Sequence, residues 1–149
     1  MGIINGIGGG RTSRKAGGKL EQFCSKLGWR IDELSGNVIA IPFNTQIGQR
    51  HVVAYVGDSG LRGVACMSSE IQISPDQLHE MVPLYFLTRN KHMICGAWKV
   101  EQNGSNIEFE AWDVFHMAGL DIAMFKSICE AMANEVGSSI LDLRNKGWL

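Results

Sequence analysis

Apolar and polar residues alternate most clearly between Met93 and Phe115, where the chain reads MICGAWKVEQNGSNIEFEAWDVF and two apolar runs flank Asn103-Gly104. Asn-Gly tolerates the positive φ that a two-residue hairpin turn demands. A turn centred there sets Gln102 opposite Ser105, Val100 opposite Ile107, Trp98 opposite Phe109 and Gly96 opposite Ala111. Side chains alternate between faces along a strand, so Ile94, Trp98, Val100, Ile107 and Phe109 share one side. Lys99 then faces Glu108 on the other side, with Glu101 and Glu110 close by. Fully burying each large apolar side chain is worth ~1.5–3 kcal/mol, so the aromatic face requires a cover.

Helical spacing supplies candidates for that cover. Leu20, Phe23, Cys24 and Leu27 fall at i, i+3, i+4 and i+7, which predicts a helix over 19–27 ended by Gly28. Ser74-Pro75-Asp76-Gln77 reads as a capped helix start, followed by a stripe of Leu78, Met81, Val82, Tyr85 and Phe86. Pro83 lies inside that stripe and predicts a kink near Glu80. A third helix starts at Asp121 and buries Ile122, Phe125, Cys129, Met132 and Val136, with Gly137 near its end. Ile140, Leu141, Leu143, Trp148 and Leu149 form a last apolar cluster, read as a separate short helix. From Trp29 to Ser69 the period shortens towards two, giving strands at about 29–34, 37–43, 49–56 and 61–68. Their breaks are Ser35-Gly36-Asn37, Asn44 to Gly48 and Gly57-Asp58-Ser59-Gly60. Pro42 cannot donate to a ladder, so its strand is at an edge there or bends there.

The order is therefore α-β-β-β-β-α-β-β-α. It predicts an α+β fold, an antiparallel sheet with three main helices on one face. Residues 1–18 hold seven glycines and read as a flexible tail, leaving 19–149 as a single domain.

Length and composition agree with one globular domain: 149 residues, 45% hydrophobic and 19% charged. Apolar runs are too short to span a bilayer, and the first residues lack a charged segment followed by an apolar one, so the expectation is a cytoplasmic protein. Cys24, Cys66, Cys95 and Cys129 are widely spaced within apolar patterns, the signature of reduced cysteines buried as small hydrophobes. Net charge is −1, unevenly spread. Arg11, Arg14, Lys15 and Lys19 make the first twenty residues +4, against −5 for the rest. This arm is a candidate contact for an anionic partner, although a solubilising tail accounts for it more simply.

Motifs for chemistry are missing. Ser13 stands where a phosphate loop needs its first Gly before Gly18-Lys19, and the dinucleotide fingerprint fails at Arg11 and Ser13. His92 and Cys95 lie three apart on a predicted strand, so their side chains leave on opposite faces and do not share a metal. No Ser sits in a nucleophile-elbow setting. The expectation is a protein that is not an enzyme, with no metal and no cofactor. More telling is the outer face of the hairpin. By the register above, Cys95 opposes Trp112 and Ala97 opposes Glu110, an apolar spot ringed by charge. Such spots mark contact with another chain, and Cys95, Ala97, Glu110 and Trp112 become the candidate interaction surface. Cover by the chain's own C-terminal segment is the competing account.

The chain resembles the type III secretion chaperone-like fold, in particular YbjN-type bacterial proteins, over about Leu20 to Val136. The resemblance is carried by LEQFCSKLGW, by SPDQLHEMVPLYFLTRNKHMICGAWKVEQNGSNIEFEAW and by DIAMFKSICEAMANEV. It implies a small, often dimeric, non-enzymatic binding protein, chaperone-like or regulatory, that holds an extended segment of another protein. The functional expectation is a homodimeric protein-binding module with an unidentified protein partner. Nucleic-acid association through the basic arm and a small-ligand pocket between helix and sheet are the alternatives, with the nucleic-acid role set behind the first.

Overall fold

The computed structural model describes residues 11–57 and 63–149. Six strands form one sheet in the order β1-β2-β3-β4-β6-β5: β1 (Glu33–Ser35), β2 (Val38–Thr45), β3 (Gly48–Val56), β4 (Val64–Ile73), β5 (Ala97–Asn103) and β6 (Asn106–His116). Every neighbouring pair is antiparallel. Three helices, α1 (Arg11–Leu27), α2 (Val82–Arg89) and α3 (Ile122–Asn145), complete the expected α+β order and pack on one face.

Two apolar clusters join helices to sheet. One gathers Leu20, Phe23 and Cys24 of α1 and Phe125, Ile128, Cys129 and Met132 of α3 over Ile39, Ile41, Val52, Ala54, Ala65 and Met67. The other sets Val82 and Phe86 of α2 and Val136, Ile140 and Leu143 of α3 over Ile71, Ile73, Trp98 and Phe109. Phe86 fills the second interior: its ring lies 4.3 Å from that of Trp98 and 4.7 Å from that of Phe109. The space between α2 and the sheet, expected as a ligand pocket in one reading, is occupied by these three rings.

The hairpin register differs from the expected one. Gly104 (φ +60°) and Ser105 form the turn, and Asn103 pairs with Asn106. Val100 therefore faces Phe109 and Trp98 faces Ala111, a shift of two residues. Two is one full side-chain period, so Trp98, Val100, Ile107 and Phe109 still share the inner face. Ile94 does not: it precedes β5 and is fully solvent-exposed.

Helix boundaries also move. α1 begins at Arg11, so residues 11–18 are helical where a tail was expected. Arg, Lys and Ala between 11 and 16 propagate a helix well, and glycines at 17 and 18 cost only ~1 kcal/mol each. Residues 1–10, the rest of that tail, lie outside the described residues. The second helix is broken, not kinked: a 3₁₀ turn at Pro75–Gln77 is followed by extended backbone at Leu78, and α2 starts at Val82 with Pro83 in its first turn. Proline is tolerated there because the first-turn N–H groups have no helical partner. Ser74 bonds the Gln77 side chain at 3.0 Å and not a backbone N–H. Conversely, α3 runs unbroken through Gly137 to Asn145, absorbing most of the cluster expected as a separate helix. Gly137 meets Thr45 there; an added Cβ would stand 2.9 Å from the Thr45 Cβ. Asp121 caps α3 as expected, accepting from the Met124 N–H at 2.7 Å. Residues 29–32 are not strand, and the first strand shrinks to Glu33–Ser35. It leaves β2 unpaired beyond Ala40 on that side, the edge position that Pro42 requires.

One polar network ties α2, α3 and β5 together. Arg89 donates to both Glu135 oxygens, at 2.6 and 2.7 Å. The Trp98 indole N–H donates to the same carboxylate at 2.9 Å. Asn90 clamps the Trp98 backbone from the free edge of β5, accepting its N–H at 2.6 Å and donating to its carbonyl at 3.2 Å. Burial alone would raise the Glu135 pKa, but the bonds from Arg89, Trp98 and Ser139 outweigh it and hold the carboxyl below its usual value. A folded-state pKa that is depressed contributes stability above the unfolded value of 4.5, lost as pH falls through the folded one. Glu135→Gln is thus predicted to lower stability at neutral pH by about 2 kcal/mol, below the range for fully buried pairs because both ends keep some solvent contact. It should also flatten the acid-side decline. Urea titrations at pH 7 and pH 4 check both points; an unchanged midpoint at pH 7 refutes the first.

Candidate interaction face

With all three helices on the inner face, the described residues leave the opposite face of the sheet without a covering element. Its side chains run in rows across the strands. Tyr55 pairs with Cys66 and Cys66 with Val114; Ala40, Val53, Ser68, Trp112 and Ala97 form the next row. Glu70, Glu110 and Lys99 follow, then Gln72, Glu108 and Glu101. The face is apolar at one end and acidic at the other.

Trp112 lies on this face, as expected, but opposite Ala97 and not Cys95; Lys99, not Ala97, opposes Glu110. The cause is the two-residue register shift, which again preserves the face and changes the neighbours. Cys95 precedes β5, half-buried. Gly96 carries the chain into the strand at φ +71°, and a Cβ there would collide with the Trp112 carbonyl. That is the physical reason for a glycine at this point.

Lys99 links the two ends of the face. Its ammonium bonds Glu110 at 2.7 Å and Glu101 at 3.1 Å and stands 5.2 Å from the centre of the Trp112 ring. Of the apolar members, Val114 is 41% exposed, while Tyr55 and Trp112 are half-buried. Burial, with a hydrogen bond to Cys66, pushes the Tyr55 hydroxyl up to about 12, and burial raises the Cys66 thiol. Both are neutral at physiological pH, so this end presents uncharged surface. At the other end burial raises the Glu70 carboxyl, and the neighbouring Glu108 raises it further. Gln72 bridges these two carboxylates, at 3.2 and 3.4 Å, and Asn103 donates to Glu108 at 2.9 Å.

The basic arm is placed differently. Lys19 donates to the Met117 carbonyl at 2.8 Å and lies 5.5 Å from the Phe23 ring centre, tying α1 to the segment before α3. Arg11, Arg14 and Lys15 belong to α1, and their side chains lie outside the described residues. Cys24, Cys66 and Cys129 are buried and all four cysteines are free thiols, as the spacing predicts. No group of three or more His, Cys, Asp or Glu among the described residues is placed to hold a metal ion. His92 and Cys95 do meet Glu135 along one pocket of ≈ 260 Å³, lined also by Met93, Ile94 and Met132. Its chemistry is muted. Glu135 is committed to Arg89 and Trp98, and burial together with Asp113 and Glu135 raises the Cys95 thiol, which disfavours the thiolate.

These features define a class: an α+β protein in which a six-stranded antiparallel sheet carries its helices on one side and, among the described residues, has no covering element on the other. Within that class, the chain has the YbjN-type fold. It is similar to the crystal structure of YbjN from E. coli, described as a candidate transcription regulator, with a TM-score of 0.64 and 13% sequence identity over 87% of this chain and 92% of that one. No protein-family model and no curated protein matches the chain. No helix among the described residues is long and apolar enough to cross a membrane.

Two substitutions probe the face. Glu70→Gln is predicted to stabilise the protein at neutral pH. Its raised folded pKa means that ionisation opposes folding, and the gain should vanish well below the ordinary carboxyl range. Equal effects at pH 7 and pH 3.5 in denaturant titrations would refute that account. Gly96→Ala should cost about 2–3 kcal/mol by forcing the strand entry away from Trp112, again read from the urea midpoint; a change within error would show that the entry relaxes freely.

Proposed function

We propose that this protein is a non-enzymatic, homodimeric protein-binding module, chaperone-like or regulatory, that uses the outer sheet face to hold an extended segment of a partner protein. The observation that carries the reading is the row of Trp112, Ala97 and Val53, interrupted by Ser68, beside Tyr55 and Val114: partly exposed apolar surface with no covering element among the described residues. Apolar surface rimmed by charge is the composition of contact sites, where buried aromatics contribute most of the affinity. Similarity to a candidate transcription regulator of the same fold supports a regulatory version of this role. The acidic end, where Glu70 and Glu101 reach the surface, favours a partner segment that is apolar and basic. A cytoplasmic setting accords with four free thiols.

Light scattering on the gel-filtered full chain tests the assembly. The expected mass is twice that of the chain, and Trp112→Glu is expected to keep that mass and the far-UV circular dichroism, because the face that holds the partner segment has to stay open in the dimer. A monomeric wild-type protein at high concentration would remove the dimer, and a monomeric Trp112→Glu variant would make this face the dimer interface and close it to a partner segment. Pull-down of a protein partner that survives Trp112→Glu would likewise refute the proposed binding surface.

A further inference from the structure

The hairpin between β2 and β3 leans on the second half of α3. Thr45 abuts Gly137, and Ile47 packs on the cluster that contains Ile140 and Leu143. Arg144 lies seven residues, two turns, beyond Gly137 and therefore on the same side of the helix. Arg50 has the strand parity of the buried residues Val52 and Ala54, so its side chain leaves β3 on the helix face. The two guanidinium groups thus approach one seam from opposite walls.

Neither is neutralised. Among the described residues no carboxylate forms a salt bridge with Arg50 or Arg144. The Arg50 Nε is buried and has no hydrogen-bond partner among the described residues. Burial and the neighbouring Arg144 charge both lower the Arg50 pKa. A place in the last turn of α3 suits the charge of Arg144 through the helix dipole, but does nothing for Arg50. Like charges facing each other, one with an orphaned charged donor, oppose folding. Guanidinium forks match the oxygens of phosphate and carboxylate groups, and two of them match a doubly charged phosphate best.

We propose that Arg50 and Arg144 form a binding site for a small oxyanion, a phosphate group, in the seam between the β2–β3 hairpin and the C-terminal half of α3. The site is separate from the outer sheet face and does not depend on its role.

Isothermal titration of the full chain with inorganic phosphate, and separately with glycerol phosphate, at fixed ionic strength tests the site. Saturable binding is expected. Arg144→Gln should weaken it about tenfold, the effect of losing one charge-assisted hydrogen bond. Arg50→Lys should weaken it as well, because an ammonium keeps the charge and loses the fork. Arg30→Gln, at an exposed arginine already paired with Asp32 at 2.6 Å, should leave binding unchanged. No saturable heat with either ligand, or equal affinity in wild type and Arg144→Gln, overturns the proposal. Should Arg50→Lys fail to fold, the exposed position 144 still decides. Tighter binding of the monoester identifies a phosphorylated small molecule as the ligand, and tighter binding of inorganic phosphate identifies the free ion.

Discussion

Glu135 stands half-buried on the side of α3 that faces α2 and β5, beside the rings of Trp98 and Phe86. A carboxylate there is tolerable only if its charge is answered by donors of good geometry. Arg89 supplies two bonds from α2, and Trp98 supplies one from β5. The same three residues thereby fix how α2 and the β5–β6 hairpin sit against α3. Phe86 enters the space this leaves and meets Trp98 and Phe109. Polar bonds set the geometry, and burial of the three rings, at ~1.5–3 kcal/mol each, supplies most of the stabilisation. An apolar seam alone would have permitted α2 to slide; the bidentate pair selects one position.

That arrangement uses every helix on one side of the sheet. Among the described residues, the outer face has only its own side chains to order it. Lys99 organises it, holding Glu110 and Glu101 while standing near the Trp112 ring. Its pKa is raised even though burial lowers it, because the two carboxylates outweigh desolvation. The C-terminal segment offers no cover here: Trp148 packs on the inner cluster and stacks on His79 with centroids 5.1 Å apart. The account of Trp112 as covered by its own C-terminus is thus excluded on geometry.

What the sequence could reveal follows the range of the interactions involved. Strand faces were legible because alternation is local: placing the turn at Asn103-Gly104 misplaced it by one residue, yet the resulting two-residue shift kept Trp98 and Phe109 together. Pairings were not legible to the same degree, since Gly104 serves a turn at either position and only the packing of β6 against β4 chooses. Pro83 marked an interruption, but its location inside or at the start of a helix depends on whether Leu78 to Met81 can bury a stripe, and they do not. The run to Asn145 hid behind Gly137, which breaks isolated helices and is needed here for the approach of Thr45. Arg89 with Glu135, and Arg50 with Arg144, lie 46 and 94 residues apart in sequence. No periodicity connects such pairs, and only the packing of α3 on the sheet brings them together.

The sheet edges bear on how a partner could engage. Exposed edges invite strand addition, and proteins usually obstruct them. At one end β1 offers three residues, and beyond Ala40 the edge passes to β2, where Pro42 lacks a donor. At the other, Asn90 already satisfies the outward N–H and carbonyl of Trp98, in the manner of a neighbouring strand. A peptide adding to β5 would have to displace those bonds and detach α2 from the strand it covers. Both edges are thus obstructed only in part, by Pro42 at one and by Asn90 at the other. In the proposed role, a partner would be recognised through side chains, by apolar contact with Trp112, Tyr55 and Val114 and by charge at Glu70 and Glu101. Recognition of that kind selects sequence more strongly than backbone pairing does.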